Sequence, residues 1–280
     1  MVGCAAGEGH LGAVDESDAP VVAAMLGETL VSVARANKAP LVVLKDFPSR
    51  YREILRPLEA AGFTRVPSMP LTRLKLEYAN WDEFFATLSK ATRKDLRRKF
   101  RKAERAPKID MEVVTGIAPH LDDIYPLYLA VHNRSPMKFE TLTKEYFFRL
   151  SGEMPERTRF FLWRQNGKIV AFSLALVCGD VIYDECLGMD YNVAFELSLY
   201  FYTLRDVIAW AIKQGLKFYY STPLNYEPKL HLRCELAPLD LYVRHTQPLM
   251  NAVFSHAVKL LEPTRHDAVL RRFPNAAELR

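Results

Sequence analysis

The chain has 280 residues, 49% hydrophobic and 25% charged, with a formal net charge of +5; this excludes a disordered or fibrous protein and allows one large domain or two ordinary ones. Its four cysteines (Cys4, Cys178, Cys186 and Cys234) lie far apart with no CxxC pair, which excludes a disulfide framework and fits a reduced, cytoplasmic protein. No basic-then-apolar leader opens the chain, and the longest apolar run, 169–178, contains a serine and falls short of the about 20 residues a membrane span needs.

Residues 7–12 match GxGxxG formally. A dinucleotide site needs a strand just before that motif and a helix opening from it. Too few residues precede Gly7 for a strand, and Pro20 delays any helix, so the stretch reads as a loop. Residues 21–37 predict an amphipathic helix and 41–46 a strand. Ser49 after Pro48 is a candidate N-cap for a helix that ends at Gly62. Residues 64–78 read as one extended segment, interrupted by Pro67 and Pro70 and so an edge strand.

Residues 81–105 predict a helix with a break near Ser89. Its second part is dense in charge: residues 90–108 hold ten Lys+Arg and two Asp+Glu, and the rest of the chain carries 28 basic against 31 acidic residues. The basic character is therefore local. Beneath it Leu88, Leu96, Phe100 and Ala103 recur at helical spacing, an apolar stripe that can dock on a core while the arginines and lysines face outward.

A strand is predicted over 109–114 and helices over 121–133 and 143–154. A three-strand meander follows: 159–165 turns at Asn166-Gly167, a strong hairpin signal, 168–178 turns at Gly179-Asp180, and 181–189 completes it. A single long helix over 197–214, closed by Gly215, leads to a strand over 217–222. Residues 224–246 read as a final extended pair, and 247–280 as a helix and an irregular tail.

This order resembles the GNAT acyltransferase fold, a mixed, mostly antiparallel sheet flanked by helices. More closely, residues 76–246 resemble the GNAT-like transferases grouped with the Fem peptidoglycan bridge-forming enzymes and the BioF2-like acetyltransferase domain. The residues that carry it are Leu88-Ser-Lys-Ala-Thr-Arg-Lys-Asp-Leu-Arg-Arg98, Phe160-Phe-Leu-Trp-Arg-Gln-Asn-Gly-Lys-Ile-Val-Ala-Phe172 and Asn225-Tyr-Glu-Pro-Lys-Leu-His231. Members of that group commonly carry two such domains in tandem. The resemblance implies three regions: 1–78 as the closing half of a first GNAT-like domain, 79–246 as the transferase domain, and 247–280 as the tail. The short lead before the first helix leads us to expect further coding sequence upstream of Met1.

The resemblance also implies the chemistry. An activated thioester needs little more than positioning and stabilisation of a developing oxyanion. In GNAT folds the strands before and after the long helix splay apart, and the donor lies in the gap with its pyrophosphate on helix-terminal amides. Here the corresponding loop is 188–198, so Gly188 and Asn192 are expected to bind the donor. That loop lacks the Arg/Gln-x-x-Gly-x-Gly/Ala signature, and Asp190 and Glu196 oppose a pyrophosphate, whereas an amide cradle requires no particular side chain. Acyl-CoA is thus one donor among several, and no permanently bound cofactor is implied.

Asp184 and Glu185 lie on the strand beside the splay, and strict alternation puts Asp184 on one face with Ile182 and Cys186, and Glu185 on the other with Tyr183 and Leu187. One of the two is the expected base for an incoming ammonium; a hydrogen-bonded structural carboxylate is the alternative. Tyr226 and Lys229 match a tyrosine-then-lysine pattern of the related families. The resemblance implies that they contact donor or acceptor near the bond being formed, Tyr226 as an acid to the leaving thiolate and Lys229 as a donor ligand; a surface turn is the alternative.

His132 and Arg134 end a helix and open a loop. Acceptor binding and stabilisation of the helix dipole both fit them. Arg97, Arg98 and Arg101 of the basic helix are expected to hold a phosphate-bearing donor or an acidic partner: aminoacyl-tRNA, acyl carrier protein or an anionic lipid. No HExxH, GxSxG or GxxxxGK[ST] motif occurs, so zinc, serine-hydrolase and P-loop chemistries are not indicated. Two functions remain: an acyl- or aminoacyl-transferase acting on an amine or hydroxyl, and a nucleic-acid or anionic-membrane binding protein that uses the helix over 90–108.

Overall fold

A computed structural model describes residues 1–3, 7–104, 106–135, 137–138 and 140–280. Cys4, named above, and Arg105, the last residue of the helix predicted over 81–105, lie outside the described residues. In chain order the elements are α1 (Ala19–Ala36), β1 (Leu41–Pro48), α2 (Arg52–Ala60), β2 (Thr64–Pro67), β3 (Leu71–Lys75), α3 (Trp81–Thr87), α4 (Lys90–Glu104), β4 (Ile109–Val114), α5 (Leu121–Arg134) and α6 (Lys144–Glu153). There follow β5 (Thr158–Gln165), β6 (Lys168–Cys178), β7 (Val181–Met189), α7 (Tyr191–Leu197), α8 (Leu199–Lys213), β8 (Phe218–Ser221), α9 (Tyr226–His231), β9 (Glu235–Ala237), β10 (Leu239–His245) and α10 (Pro248–Ala257). They form two compact units, one of 1–71, 223–227 and 235–280, the other of 72–222 and 228–234.

In the first unit an antiparallel sheet runs in the order β1-β10-β2. Helix α1 turns small residues inward: Ala19, Ala23, Gly27, Val31 and Ala34 are all buried. Small side chains at helical spacing let α1 approach α2 closely, and a Cβ on Gly27 would come within 2.9 Å of Leu58. Among the described residues, Glu16–Ala36 is the segment long and apolar enough to cross a membrane by length and composition. Here it packs through those small residues onto Leu44, Leu55, Leu58 and Phe63. The opposite face of the sheet, with Val66, Val243 and Leu241, takes Phe254 of α10 and Val258. On the central strand the nearly inaccessible Asp240 (1% exposed) accepts from Arg52 at 2.6 and 3.2 Å and from Arg65 at 2.8 Å, fastening α2 and β2 to β10.

Two expectations change here. Ser49 does not cap α2: a 3-10 turn over Ser49–Tyr51 intervenes, and the Ser49 N–H donates to the Pro238 carbonyl at 3.0 Å. The single extended segment over 64–78 is two strands, with Pro67 and Pro70 between them. β2 is an edge of the first unit's sheet, whereas Thr72–Lys75 pairs with β8 in the second unit.

The second unit carries a larger sheet in the order β4-β5-β6-β7-β8-β3. The meander β5-β6-β7 turns where expected. Asn166 (φ 52°) and Gly167 (φ 80°) both adopt positive φ, as a two-residue turn matched to strand twist requires. One face of the sheet carries Phe161, Trp163, Ala171 and Ile182 under α3, α4 and α8; the other carries Phe160, Leu162, Phe172 and Leu174 under α5 and α6. The apolar stripe of α4 meets its expectation, with Leu96, Phe100 and Ala103 buried and packed into the first of these cores. The break near Ser89 is real: its hydroxyl accepts from the Thr92 N–H at 3.1 Å and so opens α4, while Arg93 donates back to the carbonyls of Ala86 and Leu88 at 2.7 and 2.6 Å.

The long helix over 197–214 is preceded by a shorter one. Asp190 caps α7, accepting from the Asn192 N–H at 3.0 Å, and Ser198 in the left-handed region (φ 52°) turns the chain from α7 into α8. Residues 226–231 form α9, not a strand. The last long strand, β10, is the centre of the first unit's sheet.

Candidate active site

Strands β7 and β8 run parallel from Val181–Phe218 to Asp184–Ser221. β8 then ends while β7 continues to Met189. The sheet therefore opens beyond the Asp184–Ser221 pair. On the other side of β7 the register with β6 shifts between Leu174 and Ala175, so that Leu174 faces Cys186 and Ala175 faces Asp184. Glu185 is the extra residue of a β-bulge, a device that re-aims side chains and recurs beside active sites. The bulge also corrects the alternation expected above. Asp184 and Ile182 share the α8 face, but Cys186 joins the α5 face with Leu174 and Leu187 returns to the α8 face.

At the start of the opening Asp184 is held from two sides. The Ser173 hydroxyl contacts one carboxylate oxygen, and the Tyr219 hydroxyl donates to the other at 2.7 Å. Burial pushes the Asp184 carboxyl above its usual range, against the pull of the Ser173 and Tyr219 hydrogen bonds and of the Lys229 charge. Burial also drives the Tyr219 phenol well above its ordinary value, and the neighbouring Asp184 adds to the shift.

Lys229 is the second charge at this place. It is 3% exposed and its ammonium donates to the Thr222 carbonyl, at the residue that follows β8. Desolvation lowers its pKa to about 8, with Cys234 and Asp184 pulling the other way. A lysine in that range is neutral in a useful fraction near physiological pH and can accept a proton.

The other expected residues are distributed differently. Glu185 projects from the bulge, half-buried. Tyr226 belongs to the first unit; it is buried, its hydroxyl donates to the Pro70 carbonyl at 2.8 Å, and burial raises its pKa. Gly188 lies under α5. A Cβ there would stand 2.2 Å from the Phe172 ring and 2.7 Å from the backbone nitrogen of Tyr128, so glycine is what lets α5 cross β7. Gly188→Ala is expected to cost about 1–3 kcal/mol through this overlap, read as a lowered denaturation midpoint; an unchanged midpoint would mean that α5 does not lie this close.

Asn192 and Arg134 come together, lining a cleft of about 660 Å³ with Asp122, Lys168, Asp190 and Tyr191. Arg134 stacks 4.1 Å above the Tyr191 ring, and Lys168 pairs with Asp190 at 2.8 Å. That pair holds Asp190 below its usual carboxylate range and keeps the first turn of α7 capped by a carboxylate. His132 does not line this cleft: its Nε2 lies 3.1 Å from the Glu140 carbonyl, and its buried Nδ1 finds no hydrogen-bond partner among the described residues. Arg97, Arg98 and Arg101 lie exposed on α4, with Arg98 paired to Asp95 at 2.6 Å and Arg97 over the Phe85 ring at 5.2 Å.

Sequence reasoning missed Ser173 and Tyr219. The available signal was one lone serine inside the apolar run of β6, which a buried strand tolerates only with a polar partner across the ladder. Among the described residues no group of three His, Cys, Asp or Glu could hold a metal ion.

Residues 90–228 match the acetyltransferase (GNAT) domain family. A Mycobacterium tuberculosis protein named 8-amino-7-oxononanoate synthase 2 is 23% identical over 273 residues, 92% of this chain and 34% of its own length; the chain thus spans about a third of that curated relative. Two solved structures share the fold. The C-terminal domain of a lysylphosphatidylglycerol synthetase from Agrobacterium fabrum superposes with a TM-score of 0.57 at 15% identity, over 88% of this chain and 78% of that one. FemX superposes with a TM-score of 0.54 at 13% identity, over 81% and 78% respectively.

Proposed function

We propose that the protein is an acyltransferase that moves an acyl or aminoacyl group from an activated ester or thioester onto an amine or hydroxyl at the opening between β7 and β8; the match of residues 90–228 to the acetyltransferase (GNAT) domain family supports this reading. The observation that carries this reading is Lys229, buried at the end of β8 with a pKa lowered to about 8 and coupled to Asp184. The acceptor amine enters neutral, its ammonium proton lost to solvent, and neutral Lys229 takes a further N–H proton as the nitrogen attacks the acyl carbonyl. The bond from that carbon to sulfur or ester oxygen breaks, and the leaving group departs with that proton, returned by Lys229. Asp184, fixed by Ser173 and Tyr219, acts through Lys229 by raising its basicity. The donor candidates are acyl-CoA, acyl carrier protein and aminoacyl-tRNA. The name of one structural neighbour, which joins lysine to phosphatidylglycerol, favours including aminoacyl donors and lipid hydroxyl acceptors.

Turnover with these three donors against small amine and hydroxyl acceptors tests the reading. At least one donor is expected to support transfer that Lys229→Met abolishes; equal background in wild type and variant for every donor would overturn it. A second expectation concerns Asp184→Asn. The Asp184 charge raises the Lys229 pKa, so its removal lowers that pKa further. The rising limb of kcat/KM against pH then moves to lower pH, whereas a purely structural Asp184 would reduce the rate without moving the limb.

A further inference from the structure

The cleft beside α5 holds two opposite charges that the protein does not pair with one another. Asp123, Leu127, Ala130 and Arg134 all line it. They fall at i, i+4, i+7 and i+11 of α5 and so form one row along one helix face. Leu127 and Ala130 make an apolar floor between an acidic end and a basic end. The other charged groups of the cleft are already paired. Asp122 accepts from Lys144 at 2.6 Å, and Asp190 accepts from Lys168 at 2.8 Å. Asp123 and Arg134 have no ion-pair partner among the described residues. Arg134 instead rests 4.1 Å above the Tyr191 ring. That contact uses the face of the guanidinium and leaves its N–H edge open to a carboxylate.

We propose that this cleft binds a linear zwitterion, its ammonium on Asp123 and its carboxylate on Arg134, with an uncharged chain between them. The geometry sets the length of that chain. Arg134 lies eleven residues beyond Asp123, about 16 Å at 1.5 Å rise per residue. Hydrogen bonds of about 3 Å at both ends leave about 10 Å between the charged groups of the ligand. An extended tripeptide spans that distance at about 3.4 Å per residue, and so does an aliphatic ω-amino acid of equal length. The volume of about 660 Å³ is in the usual range for a small-molecule site. A polyphosphate or a nucleic-acid strand does not suit the cleft, because its acidic end would face like charge. The cleft borders α5, whereas Asp184 lies on the α8 face, and its occupancy is measured without turnover. This proposal and the transfer reading can therefore fail separately.

The test is isothermal titration calorimetry of the whole protein with two sets of probes. One set is trialanine with its N-acetylated and C-amidated forms; the other is ω-aminooctanoic acid with octanoic acid and octylamine. At least one zwitterion is expected to bind, and removing either of its charges should weaken it by about tenfold or more. Asp123→Asn should weaken the zwitterion equally and leave the N-acetylated peptide or octanoic acid unchanged. Arg134→Gln should do the same and leave the C-amidated peptide or octylamine unchanged. Both side chains are exposed, so the variants are expected to fold. Binding of both zwitterions supports recognition by the two charges; binding of one supports a site that also reads the chain between them. No binding of either zwitterion, or equal binding of the forms lacking a charge, would overturn the proposal. Indifference to either substitution would also overturn it, and would leave that charge to the helix dipole.

Discussion

Lys229→Met is expected to lower kcat/KM by at least about 100-fold, the usual contribution of a positioned general base. Lys229→Arg should fare no better, because a guanidinium stays protonated at any working pH. The same residue leaves a mark on stability. Its pKa falls from the ordinary 10.5 to about 8 in the folded protein. Below pH 8 both folded and unfolded states carry the proton, and the folded state bears the full cost of a buried charge. Between pH 8 and 10.5 the unfolded state binds more protons, so stability rises with pH, by at most about 3 kcal/mol. Lys229→Met should lack that rise. Denaturation at a series of pH values checks this, and an identical rise in wild type and variant would assign the titration to another group.

Asp240→Ala is the largest expected change in stability. The carboxylate is almost wholly inaccessible and joins β10 to Arg52 of α2 and Arg65 of β2. Removing it leaves two recessed guanidinium groups without their partner, at a cost of about 3 kcal/mol; full burial of both arginines would place it higher. Urea denaturation measures the loss, and a change below about 1 kcal/mol would mean that water replaces the carboxylate without penalty. Asp240 has no local signature: its partners stand 188 and 175 positions away.

That distance separates what the sequence disclosed from what it withheld. The meander was legible because strand alternation and the Asn166-Gly167 turn are local features, and α4 because Leu96, Phe100 and Ala103 repeat at a helical period. Helix α7 was missed, although Asp190 followed by Asn192 is a capping pattern, because seven residues ending in a left-handed serine are too few to show a period. The bulge at Glu185 was invisible for a different reason. Two-residue alternation assumes an unbroken ladder, and nothing within β7 itself marks the register shift against β6. Of the candidate site, Asp184 and Lys229 were named from the sequence, but their relation was not. It depends on β8 stopping at Ser221 and on α9 carrying Lys229 back to Thr222, both products of tertiary packing. The placement of 239–245 at the centre of the first unit's sheet likewise follows from pairing with β1 and β2, which no local window contains.

The most direct measurement is the pH dependence of single-turnover acyl transfer to a primary amine of low pKa, one already neutral across the range studied. The rate is expected to rise through an inflection near the Lys229 pKa of about 8, shifted downward in Asp184→Asn and lost in Lys229→Met. A profile flat across that range in the wild type, or an inflection that persists in Lys229→Met, would contradict Lys229 as the base.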